Sequence, residues 1–290
     1  MTLNRRQMLL ASGAAVLGPG ALARLGAAQG GPTKKVLFFT KSSGFQHSVI
    51  ARQGDQPAHA ERILREVGHQ HGFEVVASKD GRLFDPDRIG QWDAFAFYTT
   101  GDLTTEGTDK QPAMSPEGKQ ALLDAIRGGK GFIGMHCATD TFHSKGDQVD
   151  PYIAMIGGEF ITHGAQHVAR LLVTDEGFPG AEPFGSSFEI NDEWYALKNM
   201  PDDLHVIMAY DTGSMQGPMY QRPNFPQTWA RMHGQGRVFY TSMGHREDVW
   251  TNPKYQGLLI GALNFVTRKA DADIPPNVTK ATPGYKKLPA

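Results

Sequence analysis

Short apolar runs with glycine-rich ends alternate along the first half of the chain with stretches of helical spacing. Lys35-Val36-Leu37-Phe38-Phe39-Thr40 reads as a strand buried on both faces, and Lys41–His47 is the loop leaving its carboxyl end. Between Ala58 and His71 the apolar residues Ala60, Ile63, Leu64 and Val67 fall on one face of a helix. Phe73–Ala77 and Trp92–Thr99 predict a second and a third strand, the latter entered through the turn Asp85-Pro86-Asp87. Ser115-Pro116-Glu117 has the order of a helix start: a capping side chain, proline at the first helical position and an acid in the first turn. Ala121, Leu122, Ala125 and Ile126 continue that helix and Gly128-Gly129 closes it, before the apolar run Gly131–Met135. This rhythm predicts one α/β domain, with a mostly parallel sheet covered by helices on both sides.

The second half is less regular. Val168–Val173 and His205–Tyr210 predict strands. Thr228–Met232 and Arg237–Thr241, joined by His233-Gly234-Gln235-Gly236, predict a hairpin that extends the sheet in antiparallel fashion. Asn252-Pro253 starts a helix through Leu258, Leu259, Ile260, Leu263 and Val266, apolar nearly all round and therefore buried. Residues 271–290, rich in proline and lysine, are expected to form an extended tail, leaving 31–270 as the folded domain.

Composition narrows the function. The 290 residues carry a formal net charge of -1, and no basic run follows the first few residues, which argues against a nucleic-acid groove. The single cysteine, Cys137, excludes an internal disulfide and a multi-cysteine metal site. Residues 1–30 have the order of a secretory signal: basic Asn4-Arg5-Arg6, a small-residue apolar run, then Gly26-Ala27-Ala28. The paired arginines match the twin-arginine export class, which predicts a periplasmic or secreted protein. No later apolar run is long enough to span a bilayer, and oligomeric state is left open.

Chemistry concentrates at Gly134-Met135-His136-Cys137-Ala138. Small residues around one polar side chain, at the end of a buried strand, describe a sharp turn that presents His136 at the carboxyl edge of the sheet. Ligands bind at that edge in open α/β sheets. A helix beginning at the turn would keep the imidazole neutral, suited to general-base work or metal ligation. His245, in a glycine-flanked turn followed by Arg246, is a second candidate, and Glu193 a third, with Asp192 beside it weaker. His163 and His167, four apart, and His47 on the loop after the first strand are candidate ligands for a divalent cation. Ser43, Gly44, Phe45, Asp102, Trp194, Tyr195 and Arg246 are candidate substrate contacts, because ring faces interleaved with polar groups are what a carbohydrate pocket requires. Each also has a bland reading, as core aromatic, turn closure or solvated charge.

Taken together, Val36–His47, Gly134–Ala138, Gly157–His163, Asp192–Tyr195 and Gly244-His245 resemble the trehalose-utilization (ThuA-like) family, and the resemblance runs from Lys34 to Arg268. It implies a flavodoxin-like or class I glutamine amidotransferase-like three-layer sandwich. In those amidotransferases a cysteine occupies the elbow; here His136 stands in its place and His245 in a position similar to that of the catalytic histidine. The resemblance therefore implies sugar catabolism without cysteine-dependent amidotransfer, on trehalose or a keto-glycoside, by histidine acid–base or metal-assisted chemistry through His136, His245 and Glu193. The alternative is a non-catalytic carbohydrate-binding protein on the same scaffold.

Overall fold

The computed structural model describes residues 33–289; the signal segment expected over 1–30 lies outside the described residues. Among the described residues eleven strands are formed: β1 (Lys34–Phe39), β2 (Phe73–Ser78), β3 (Ala94–Phe97), β4 (Gly131–Met135), β5 (Glu159–His163), β6 (His167–Val173), β7 (Ser187–Asp192), β8 (Tyr195–Lys198), β9 (His205–Tyr210), β10 (Pro226–His233) and β11 (Gly236–Thr241). The helices are α1 (His59–Gln70), α2 (Pro116–Arg127), α3 (Pro151–Ile156), α4 (Glu247–Thr251), α5 (Pro253–Val266) and α6 (Val278–Ala281).

Nine strands make one sheet in the order β2-β1-β3-β4-β11-β10-β9-β6-β7. The first five run parallel, which is the doubly wound order of flavodoxin-like folds with β11 as the fifth strand. From β10 onward the pairings are antiparallel. Parallel strands here must be covered on both faces, and their residues show it: Ala94–Phe97 and Gly131–Met135 are buried throughout. Helices α1, α4 and α5 pack together, and α2 packs with α3. The predicted caps are in place, with Ser115 Oγ accepting from Gly118 N at 2.9 Å and Asn252 Oδ1 accepting from Lys254 N at 2.9 Å. The hairpin is tighter than its sequence implies: His233 pairs with Gly236, leaving a two-residue turn with Gly234 at φ 60.

Parts of the fold depart from expectation. A separate two-stranded sheet, β5 with β8, has no counterpart in the sequence pattern. The 271–290 segment does not run as a free extended tail. Val278, Thr282 and Tyr285 are buried, and Asn277 grips the backbone of Val206, its Oδ1 accepting from the amide at 2.6 Å and its Nδ2 donating to the carbonyl at 3.1 Å. Proline and lysine set its solvated stretches, but these buried anchors hold it down.

Candidate functional site

The parallel strands deliver their carboxyl ends to one edge, and three loops are laced together there. Ser43 N and Gly44 N donate to Thr100 O at 2.8 and 3.3 Å, and Gly101 N donates to Asp140 O at 2.7 Å. The amides of Ser43 and Gly44, expected to contact substrate, are thus spent on Thr100. Lys41, fully buried, anchors the following loop through Asp109 Oδ1 at 3.0 Å and the carbonyls of Glu106 and Gln111.

His136 adopts φ 44, a left-handed conformation rare for a side chain with a Cβ, as an elbow requires. The strain is over-determined by its surroundings. Tyr240 Oη donates to the His136 carbonyl at 2.7 Å, and a Cβ on Gly134 would lie 2.7 Å from Ile156 Cδ1 and 3.2 Å from Ala138 Cβ. The expected helix is absent after the elbow: His136–Asp140 is a short 3-10 segment, so there is no α-helical dipole at the ring. The ring is oriented instead by Ser242 O, 2.9 Å from Nδ1. A carbonyl only accepts, so Nδ1 carries a proton and donates it to Ser242 O, which turns Nε2 inward toward His245 and Glu193. Cys137, next along, is buried, and burial pushes its thiol well up, with Asp140 adding; it holds no thiolate.

The loop after β11 is held by a buried carboxylate. Asp192 Oδ2 accepts from Gly244 N at 2.7 Å, while Oδ1 accepts from Arg246 N at 3.2 Å and Glu193 N at 3.0 Å, so the amides on both sides of His245 are fixed. Burial pushes the Asp192 carboxyl up to about 6 against the pull of His136 and these amides. Gly244 sits at φ 119, and a Cβ there would lie 2.6 Å from Tyr255 Oη, so glycine is required twice over.

Three histidines and a carboxylate converge behind this edge. His245 Nδ1 lies 3.3 Å from His136 Nε2 and 3.1 Å from Glu193 Oε2, and His136 Nε2 lies 3.5 Å from the same Oε2. The His47 ring centre is 5.0 Å from that of His136 and 5.1 Å from that of His245, edge to face. Burial, reinforced by His136 and His245, lowers His47 to about 2, so its ring is neutral at any ordinary pH. Burial alone would raise Glu193 and lower His245. The contacts reverse both: His136 first and His245 next hold Glu193 well below the usual carboxylate range, and Glu193 moves His245 upward. On the far side of Glu193, His163 Nδ1 lies 3.2 Å from Oε1.

The cluster opens on a cavity of about 270 Å³ lined by Phe45, His47, Asp140, Phe160, His163, Glu193, Tyr195 and His245. Of the expected site residues, His47, His163, Glu193, His245, Phe45 and Tyr195 line it. His136 is fully buried just behind His245 and Glu193. His167 is not in the cluster: Nδ1 donates to Ala165 O at 2.8 Å and Nε2 accepts from Gln216 N at 3.3 Å, because the four-residue spacing spans a strand break rather than a helical turn. Trp194 is core, its indole N–H donating to His167 O at 2.9 Å. Glu193 and Tyr195 face the cavity while Asp192 and Trp194 turn inward, the alternation of an extended segment. Asp102 is exposed and closes a local turn onto Thr104, and Arg246 is paired with Asp248 and Gln166 outside the cavity lining. Ser43 Oγ is buried without a partner. Sequence reasoning missed Phe160 and Asp140; Phe160 lies inside the Gly157–His163 motif, and Asp140 follows the elbow by one turn.

The molecule is thus an α/β protein with a doubly wound sheet, a histidine–carboxylate cluster at the sheet's carboxyl edge, and a histidine rather than a cysteine at the elbow. The chain belongs to the ThuA family, described as trehalose utilisation, whose model matches residues 35–266. None of the curated proteins is similar to it in sequence. In structure it is similar to a ThuA-like protein from Bacteroides uniformis ATCC 8492, at TM-score 0.60 and 17% identity over 84% of this chain and 95% of that one. It is similar too to a ThuA-like protein from Parabacteroides merdae ATCC 43184, at TM-score 0.60 and 16% identity over 89% of this chain and 97% of that one. The cytoplasmic protein STM1381 from Salmonella typhimurium LT2 shares the fold at TM-score 0.53 and 11% identity, over 80% of this chain and 99% of that one. No helix among the described residues is long and apolar enough to cross a membrane.

Proposed function

We propose that this protein is an extracytoplasmic enzyme of carbohydrate catabolism that moves a proton on a sugar oxidised to a ketone, of the trehalose or related keto-glycoside type. The observation that carries the reading is one cavity where His245, backed by Glu193 and His136, faces the rings of Phe45, Phe160 and Tyr195. A carbon next to a ketone gives up its proton only to a placed base while the carbonyl oxygen is stabilised. His245 is the base. Its proton inventory is set by Glu193, and His136 positions the pair from behind. His47 and His163, which line the same cavity, are the donors to the oxygen. The aromatic rings supply faces for the C–H surface of a sugar, and the family's description as trehalose utilisation supports the substrate class. Export rests on the paired arginines at the amino terminus.

Deuterium exchange tests the chemistry. Trehalose and its keto-glycoside derivative are incubated with the protein in D2O and followed by proton NMR. Loss of signal at the carbon beside the ketone is expected with the wild-type chain and not with His245→Ala. Saturable binding of the sugar without exchange or any product would instead mark a carbohydrate-binding protein.

A further inference from the structure

Three atoms of the cluster form a small triangle. His245 Nδ1, His136 Nε2 and Glu193 Oε2 are separated by 3.1, 3.3 and 3.5 Å. Donor atoms about 2.1 Å from one ion, at tetrahedral or octahedral angles, stand roughly 3.0–3.4 Å apart. The triangle is thus one face of a coordination sphere. His47 completes the set, since one ligand atom from each of His47, His136, Glu193 and His245 lies within 4.8 Å of all the others.

Hydrogen-bond geometry points the same way. His136 Nδ1 is committed to Ser242 O, so Nε2 is the ring atom turned toward His245 Nδ1 and Glu193 Oε2. His47 Nδ1 is buried with no hydrogen-bond partner. A buried polar atom without a partner is costly, and a shared cation would give the converging nitrogen and oxygen atoms a common one.

We infer that His47, His136, His245 and Glu193 hold a single divalent transition-metal ion, with the open side of the ion facing the cavity. Three imidazoles and one carboxylate select Zn2+, Co2+, Ni2+ or Fe2+ over Ca2+ and Mg2+, which take oxygen ligands. The surroundings are those a metal site needs. Ser242 O fixes the tautomer of one ligand, and Asp192 fixes the loop that carries another. Leaving one side to the cavity is the arrangement of a catalytic ion rather than a structural one. With the ion bound, the ligating atoms of His245 and His47 are not free to act on a substrate, so the acid–base roles proposed above would give way to metal-assisted chemistry; the ion site itself stands on geometry, whatever the substrate.

The test uses the full chain, metal content being read first by mass spectrometry on protein as purified. After chelator treatment and removal of the chelator, the chain is titrated with Co2+ and followed by its visible ligand-field bands and by calorimetry. One equivalent per chain is expected, displaceable by Zn2+. Glu193→Gln, the least disruptive change in the set, is expected to weaken binding by at least about 10-fold, and His47→Ala similarly. His167→Ala should bind as the wild type does. Folded wild-type protein that binds neither Co2+ nor Zn2+ would overturn the inference, as would Glu193→Gln and His47→Ala binding with unchanged affinity. The two readings fail separately. A protein that binds neither Co2+ nor Zn2+ and still exchanges deuterium ends the cation proposal alone, and a bound ion without exchange on any keto-glycoside ends the enzymatic one.

Discussion

Asp192→Asn is the most informative single change, because it alters no cavity-lining group and yet reaches His245. The carboxylate presents two acceptor oxygens to three buried amides, with Oδ2 serving Gly244 and Oδ1 serving Glu193 and Arg246. Asparagine presents one oxygen. Its better orientation keeps that oxygen on Glu193 and Arg246 and turns the NH2 toward Gly244 N–H, so two donors meet where one hydrogen bond had been. One buried amide left unsatisfied costs about 1–3 kcal/mol. For a chain of this size that lowers the melting temperature by roughly 2–4 °C per kcal/mol. Gly244 cannot relax toward Tyr255, whose hydroxyl already fills the space a Cβ would need, so the strain passes to His245. Scanning calorimetry should therefore show a fall of several degrees, and Co2+ affinity should fall by about 10–100-fold, as for an outer partner of a metal ligand. A variant that melts and binds as the wild type does would refute the assignment of Asp192 as the residue that positions His245.

Cys137→Ala should leave sugar chemistry intact and cost no more than about 1 kcal/mol, read from denaturant melts, since the buried thiol only fills space; loss of activity in a folded variant would revive a thiol mechanism. Phe45→Ala, at a ring 67% exposed, should leave the melting curve within about 0.5 kcal/mol while weakening sugar binding by calorimetry. Glu61, buried at the start of α1, accepts from Thr40 Oγ1 at 2.6 Å, Arg52 Nε at 2.8 Å and Ala58 N at 3.0 Å. Burial opposes its charge, but the Arg52 and Thr40 bonds outweigh it and hold the carboxyl below its ordinary range. Its stabilisation is thus present above the unfolded-state value and lost as pH falls through the folded one. Urea melts of Glu61→Gln against pH should show a smaller loss of stability in that acid range than the wild type; equal losses would contradict the assignment.

Most of the framework was legible because it is local. Bounded apolar runs mark β1, β2, β3 and β4, and Ser115-Pro116 and Asn252-Pro253 mark helix starts by chemistry confined to a few residues. The elbow was legible for the same reason, its small neighbours being needed around His136 in one turn of chain. The segment after the elbow was not, because a 3-10 segment and an α-helix start alike. His167 misled because a four-residue spacing puts two rings together only on a helix, and here it crosses from β5 to β6. Trp194 misled because an aromatic residue in an extended stretch faces either way, and the choice depends on a partner that spacing does not reveal. Here Trp194 turned inward onto His167, which left Glu193 and Tyr195 for the cavity. The β5–β8 pair that lines one wall joins segments too short and mixed in pattern to be read alone.

The pairing of β4 with β11 has a kinetic corollary. It sets Phe132 beside Val238 and Met135 beside Thr241, closing a loop of more than a hundred residues, and it must form before His136 and His245 can meet. Such contacts come late, since the entropy of closing the loop is lost before any contact rewards it. No early intermediate and no fragment ending short of β11 holds the cluster. A spectroscopic signal from that cluster would therefore report completion of the whole domain rather than any local event. It would also place the decision over which ion is captured in the compartment where the chain finishes folding.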